Sequence, residues 1–283
     1  MEKEIQNNSP KISSNLIQIA IILSATLIAI TFIFKYAPVS RSQPAIQAPT
    51  VQASLVDAGH ILPLAIEQKM LADLTKGGVI DGSRLSQVTE LNLLWAYGLA
   101  NANPVLSRGP IMDMRYGGPE NMASVGGWTV STGNVMDHYG KHKLSILTPE
   151  QQQLVEKIAK GIYRPCCDNS TYFPDCNHGM AMLGLLEYLA SQGATEDQMW
   201  NVAMTVNVSW FPDQYQAIGL YLKQNGRDIK SMSPQELLGY EYSSGSGFAK
   251  IASQVYLPKS QSGSGCGVGT VESAPRPKSG CGI

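Results

Sequence analysis

From Thr148 onward the apolar positions recur at three- and four-residue spacing, and most of the repeats open with a helix-start signal. Thr148-Pro149-Glu150-Gln151 sets a capping hydroxyl, a proline at the first helical position and a glutamine three residues after the cap. Leu154, Val155, Ile158 and Ile162 follow as a stripe that Gly161 and Pro165 end. Met180, Leu183, Leu186, Glu187 and Leu189 predict a second helix stopped at Gly193. Thr195-Glu196-Asp197-Gln198 repeats the capping pattern and opens a third, through Met199, Val202, Val206 and Trp210 to Pro212. A fourth runs from Gln214 to Lys223 and closes at Asn225-Gly226. Ser233-Pro234-Gln235-Glu236 gives one more capping box before a short helix, and a last helix is expected from Gly247 to Tyr256. The pattern predicts an all-α, multi-helix bundle.

Upstream the same spacing returns with an interruption. Leu62, Ile66, Met70 and Leu74 mark a helix within Leu55 to Thr75, broken by Pro63 and closed by Gly77-Gly78. Val88, Leu91, Leu94, Trp95 and Leu99 predict another from Leu85 to Ala100. Residues 101 to 147 have little period and many glycines, and a stretch of this length is either functional or mobile. His138 and His142 stand four apart and would share a face if that segment were helical, although Gly140 lies between them. Met112, Met114, Met122 and Met136 add thioethers, which suit Cu(I) but equally fill irregular gaps under a long loop. His60 stands alone, as a solvated or capping histidine does.

The N-terminal pattern is of another kind. Residues 16 to 34 run without a charge, and as a helix would reach about 28 Å, the thickness of a bilayer's hydrocarbon layer. We read them as a transmembrane helix embedded in membrane lipid rather than a cleaved signal, since Lys35-Tyr36 follows where a small-residue cleavage site would stand. Lys3 and Lys11 before the run and Lys35 and Arg41 after it leave orientation undecided by charge. Signal-anchors of this type commonly export the chain on their C-terminal side. The expected organisation is therefore a cytoplasmic stretch at 1–15, the span at 16–34 and a Pro-rich linker at 35–54. A helical domain comes next at 55–257, extracytoplasmic in the periplasm or at the cell surface, and then a disordered Gly/Ser-rich tail at 258–283.

Composition narrows the picture. With 283 residues and a formal charge of −1, the chain can bury one sizeable core, and nothing in its charge points to a nucleic-acid partner. Three of the five cysteines and one of the four histidines fall between Arg164 and His178, reading Arg-Pro-Cys-Cys-Asp-Asn-Ser-Thr-Tyr-Phe-Pro-Asp-Cys-Asn-His. Cys166 and Cys167 are adjacent, which makes joint chelation strained and a disulfide between them labile. Cys176 and His178 stand at the entry to a helix, where free N–H groups and the helix dipole lower a thiol's pKa, and Arg164 adds positive charge.

Three functions fit this loop. Cys166, Cys167, Cys176 and His178 form a sulfur and imidazole set for a soft metal, copper or zinc. Alternatively, Cys166 or Cys167 attacks a disulfide in a thiol partner protein and Cys176 resolves it. In the third reading the cysteines are structural disulfides of a non-catalytic subunit in a membrane complex. Cys266 and Cys281 in the tail can pair with each other or supply a further ligand, and Cys281 stands third from the end, outside the prenylation pattern. Asn169-Ser170-Thr171 matches the short glycosylation acceptor.

Residues 153 to 212 resemble a known arrangement. Tyr163-Arg164-Pro165-Cys166-Cys167 between two helices, then Gln192-Gly193-Ala194-Thr195-Glu196-Asp197-Gln198 and a helix closed by Trp210-Phe211-Pro212, looks like the helical thioredox domain of the cytochrome c maturation CcmH/CycL family. Arg164 and Cys166, with Pro165 between them, echo that family's Leu-Arg-Cys-x-x-Cys, and Gly193 with Thr195 its Gly-x-Ser-x-x-Glu; the family's cysteines are separated by two residues, whereas these touch. The resemblance implies a membrane-anchored periplasmic protein that reduces apocytochrome thiols for haem attachment, and so leaves haem open as a cofactor.

Overall fold

The computed structural model describes residues 62–128 and 130–255. The expected span at 16–34, the linker, His60 and the tail with Cys266 and Cys281 lie outside the described residues.

Helix α1 (Leu64–Lys76) starts directly after Pro63, whose ring sets the backbone angle there, and stops at Gly77 and at Gly78, whose φ is +71°. The helix expected from Leu85 begins later. Asp81 caps a 3₁₀ turn at Gly82–Gln87, and Thr89 then caps α2 (Glu90–Ala100) by accepting the Asn92 N–H, so two capping side chains divide what the apolar spacing joins. Every residue of α2 from Asn92 to Ala100 is buried, which makes it the central element.

Residues 101 to 147 form α3 (Pro104–Arg108), α4 (Ala123–Gly126) and several 3₁₀ turns. Buried Asn101 holds this stretch down: its Oδ1 accepts from the N–H groups of Leu144 and Ser145, and its Nδ2 donates to Glu187 Oε2. Met122 and Met136 pack against the core as gap fillers, while Met112 and Met114 are exposed, Met114 at 73%.

The remaining helices mostly start at the caps read from the sequence, but the last one, expected from Gly247 to Tyr256, runs from Gly245 to Ala252, and the short helix before it has no side-chain cap. These helices are α5 (Pro149–Gly161), α6 (Asn177–Ser191), α7 (Glu196–Trp210), α8 (Pro212–Gln224), α9 (Pro234–Leu237), α10 (Tyr240–Ser243) and α11 (Gly245–Ala252). Both boxes at Thr148/Gln151 and Thr195/Gln198 are reciprocal. At Ser233 only half the box forms, because Glu236 turns instead to Arg227 at 2.7 Å.

Helices α2 and α6 cross at two glycines. A Cβ on Gly98 would stand 2.2 Å from the Met180 carbonyl oxygen, and one on Gly184 2.4 Å from that of Leu94. The backbones touch because neither residue has a side chain. Around this crossing lies the main core, and a smaller cluster of Phe211, Tyr215, Ile218, Leu222, Leu237, Tyr242 and Ile251 gathers α8 to α11. Cys166 packs against the smaller cluster and Met180 lies in the larger, so the cysteine loop sits where the two meet.

The expected fold class and location are corrected here. The described residues form helices, turns and isolated bridges with no strand, but none of their helices is long and apolar enough to cross a membrane. The longest of them, α6 and α7, have 15 residues each, about 22 Å of rise against a hydrocarbon layer of about 30 Å. A single-pass, signal-anchored protein with its bulk outside the cytoplasm therefore finds no spanning helix among the described residues.

Candidate metal centre

The loop between α5 and α6 is fastened at both ends. Thr171 N–H donates to the Ile162 carbonyl and Tyr172 N–H to that of Ala159, closing it onto the end of α5. A turn from Arg164 to Cys167 presents the two adjacent cysteines, and Gly245 N–H binds the Cys167 carbonyl at 2.8 Å. The start of α11 grips the next residue as well: Ser246 donates through its N–H and its hydroxyl to the Asp168 carboxylate. Asn169 Nδ2 reaches Asp175 Oδ2 at 2.8 Å and draws the two sides together.

Cys176 is the N-cap of α6, its sulfur accepting the Gly179 N–H at 3.4 Å, so a thiol occupies the place where serine or aspartate more often stands. His178 lies in the first turn, its ring 4.7 Å from Phe211 and 5.4 Å from Trp210, which fixes its orientation.

These elements bring together all four residues that the sequence singled out. The sulfurs form a triangle: Cys167 to Cys176 is 3.7 Å, Cys166 to Cys176 3.9 Å and Cys166 to Cys167 3.9 Å. His178 Nδ1 lies 3.9 Å from Cys166 Sγ. Tetrahedral ligation with metal–sulfur bonds of about 2.3 Å separates neighbouring sulfurs by about 3.8 Å. Adjacency thus does not prevent Cys166 and Cys167 from facing one centre. The expected disulfide is corrected by the same distances, since a bonded pair stands at about 2.05 Å; none of the three cysteines is in a disulfide.

Arg164 is wholly buried beneath the triangle. Its NH2 nitrogen is 3.1 Å from Cys167 Sγ, 3.3 Å from Cys176 Sγ and 3.5 Å from Asp175 Oδ1, while NH1 meets Thr171 Oγ1 at 3.4 Å. Burial alone would favour loss of its proton, but the charge of the sulfur cluster, Cys176 above all, holds it charged. Cys176 is the most acidic sulfur of the set: S–H bonds from Cys166 and Cys167, followed by the charge of Arg164, hold it well below the ordinary thiol range. The Cys166 hydrogen bond works in the other direction on Cys167, yet its own bond to Cys176 and burial leave it pushed up to about 12. Burial lowers the pKa of His178, which keeps a lone pair for coordination.

Two sets of ligand atoms lie within 4.8 Å of one another, Cys166/Cys176/His178 and Cys167/Asp175/Cys176, and the cluster can hold a metal ion. Cys176 belongs to both. Asp175 is a candidate ligand that the sequence reading passed over, although it directly precedes Cys176. Burial, and then the charge on Cys176, raise its pKa. His138 and His142, not helical, pair with each other at 3.0 Å.

No family model, curated protein or solved structure matches the chain. The likeness to the CcmH/CycL family thus stands on the residues quoted for it, neither supported nor contradicted by comparison.

Proposed function

We propose that this protein binds one soft metal ion, Cu(I) or Zn(II), through Cys166, Cys167 and Cys176, with His178 completing the set. The observation that carries the reading is the sulfur triangle, whose edges of 3.7 to 3.9 Å match the spacing of thiolates around one ion. Charge supports it as well. A divalent ion with three thiolates and a neutral imidazole carries one net negative charge, which the buried Arg164 guanidinium balances; Cu(I) reaches the same balance with one of the three sulfurs still protonated. Cys176, whose pKa is lowered well below the ordinary thiol value, is the first point of attachment, and its position at the start of α6 adds the favourable end of the helix dipole. The partly exposed Cys166 and Cys167 then give up their protons as the ion settles.

The test is anaerobic loading of the full chain with Zn(II) or Cu(I), desalting and elemental analysis. One equivalent retained by the protein and lost in Cys176→Ser is the expected result. Equal retention by wild type and Cys176→Ser, or none by either at micromolar ion, overturns the proposal.

A further inference from the structure

Arg164 does more than balance charge. Its Nη2 nitrogen lies 3.1 Å from Cys167 Sγ, 3.3 Å from Cys176 Sγ and 3.5 Å from Asp175 Oδ1, and those three residues are one of the two sets able to hold an ion. A guanidinium nitrogen thus stands where that set would place a cation. The surroundings hold it there. Nη1 donates to Thr171 Oγ1 at 3.4 Å, and Asn169 Nδ2 engages the other oxygen of Asp175 at 2.8 Å, so both carboxylate oxygens are already in use.

We propose that Arg164 fixes how many ions the centre takes and where. Its guanidinium fills the Cys167/Asp175/Cys176 set as a built-in cation, so that one ion settles with Cys166, Cys176 and His178 and a second is shut out. The inference rests on the metal reading above and adds to it the number of ions and the role of Asp175. Space supports it first. Cys167 Sγ and Cys176 Sγ are 3.7 Å apart, and an ion bonded to both at about 2.3 Å on the guanidinium's side would come within about 1.3 Å of Nη2. That side cannot hold both. Charge acts in the same direction, because a second cation would meet a wholly buried like charge, where water and salt screen the repulsion least. Cys167 can still turn its sulfur to the ion, but Asp175 serves the arginine instead of the metal.

Zn(II) is the probe, added anaerobically to the reduced full chain. Elemental analysis after desalting is expected to give one equivalent in wild type and two in Arg164→Met, falling back to one when Asp175→Asn is added to Arg164→Met. One equivalent in a folded Arg164→Met protein overturns the inference and leaves the metal reading standing, whereas none in wild type overturns both. The wild-type chain decides the matter even if the variant fails to fold. With ¹⁵N-labelled arginine, a buried and hydrogen-bonded guanidinium gives slowly exchanging Nη signals, and those of Arg164 are expected to persist when one equivalent has bound. Their loss to solvent exchange as Zn(II) binds would mean that the ion had taken the arginine's place, and the inference would fall.

Discussion

The buried guanidinium of Arg164 stands 3.3 Å from Cys176 Sγ, and Gly179 leaves the room it needs: a Cβ there would lie 2.7 Å from the same guanidinium nitrogen. A fixed cation therefore sits under the thiolate whether or not an ion is bound above it.

Removing that cation is expected to raise the pKa of Cys176. The sign comes from linkage: a depressed folded pKa contributes stability that is fully present above the ordinary thiol value and lost as pH falls through the folded one. In Arg164→Met the loss is expected at higher pH than in wild type, together with a destabilisation of about 3 to 5 kcal/mol from an uncompensated buried charge. Thiolate absorbance against pH and urea midpoints measure the two effects. An unchanged Cys176 titration would show that the neighbouring S–H bonds suffice.

Gly184→Ala is expected to cost about 3 kcal/mol or more, since its Cβ would meet the Leu94 carbonyl oxygen at 2.4 Å and backbone cannot give way as a side chain can. Gly193→Ala tests a different constraint. Its Cβ would meet nothing within 4 Å, but its φ of +77° makes the change cost about 1 kcal/mol. Thermal unfolding ranks the two, and the reverse order would refute the crossing as the tighter constraint.

How far the sequence carried these conclusions depends on the residue. Helices α5, α6 and α7 were legible because Thr148, Gln151, Thr195, Gln198 and Gly193 write their ends locally, within a few residues of each stop and start. The break before α2 was less visible, because Thr89 caps a helix inside an unbroken apolar spacing. The cysteine cluster was legible as a concentration of residue types but not as geometry. What turns Cys166 and Cys167 toward one centre is the grip of Gly245 and Ser246 from α11, some 78 positions away, and no local pattern announces it. Asp175 escaped notice for a similar reason: its carboxylate becomes a candidate ligand only once the loop has folded back on Arg164. The two histidines meet through a turn rather than along a helix face, which their four-residue spacing does not distinguish.

Binding of an ion should stabilise the folded chain by mass action. At free Zn(II) one hundred times its dissociation constant the gain is about 2.7 kcal/mol, and a chelator reverses it. Cys176→Ser is expected to lose most of this gain, because both ligand sets pass through that sulfur. Melting curves with and without Zn(II), run on both proteins, measure it. An equal gain in the variant would place the stabilising ion elsewhere.

Glu187 offers a test that leaves the cysteines alone. It lies wholly buried in α6, with Oε2 accepting from Asn101 Nδ2 at 2.9 Å and Oε1 without a partner. Burial raises its pKa well above 4.5, so the folded protein holds a proton that the unfolded chain releases. The associated stability is fully present below the unfolded value and is lost as pH rises through the folded one, at about 1.4 kcal/mol per pH unit between the two. Glu187→Gln reproduces the neutral form and can still accept the Asn101 hydrogen bond. It is therefore expected to remove this part of the slope and to be more stable than wild type at pH values above the folded pKa. Urea midpoints measured across the acid and neutral range decide it, since a variant that keeps the wild-type slope would mean that the carboxyl group finds its own compensation on ionising.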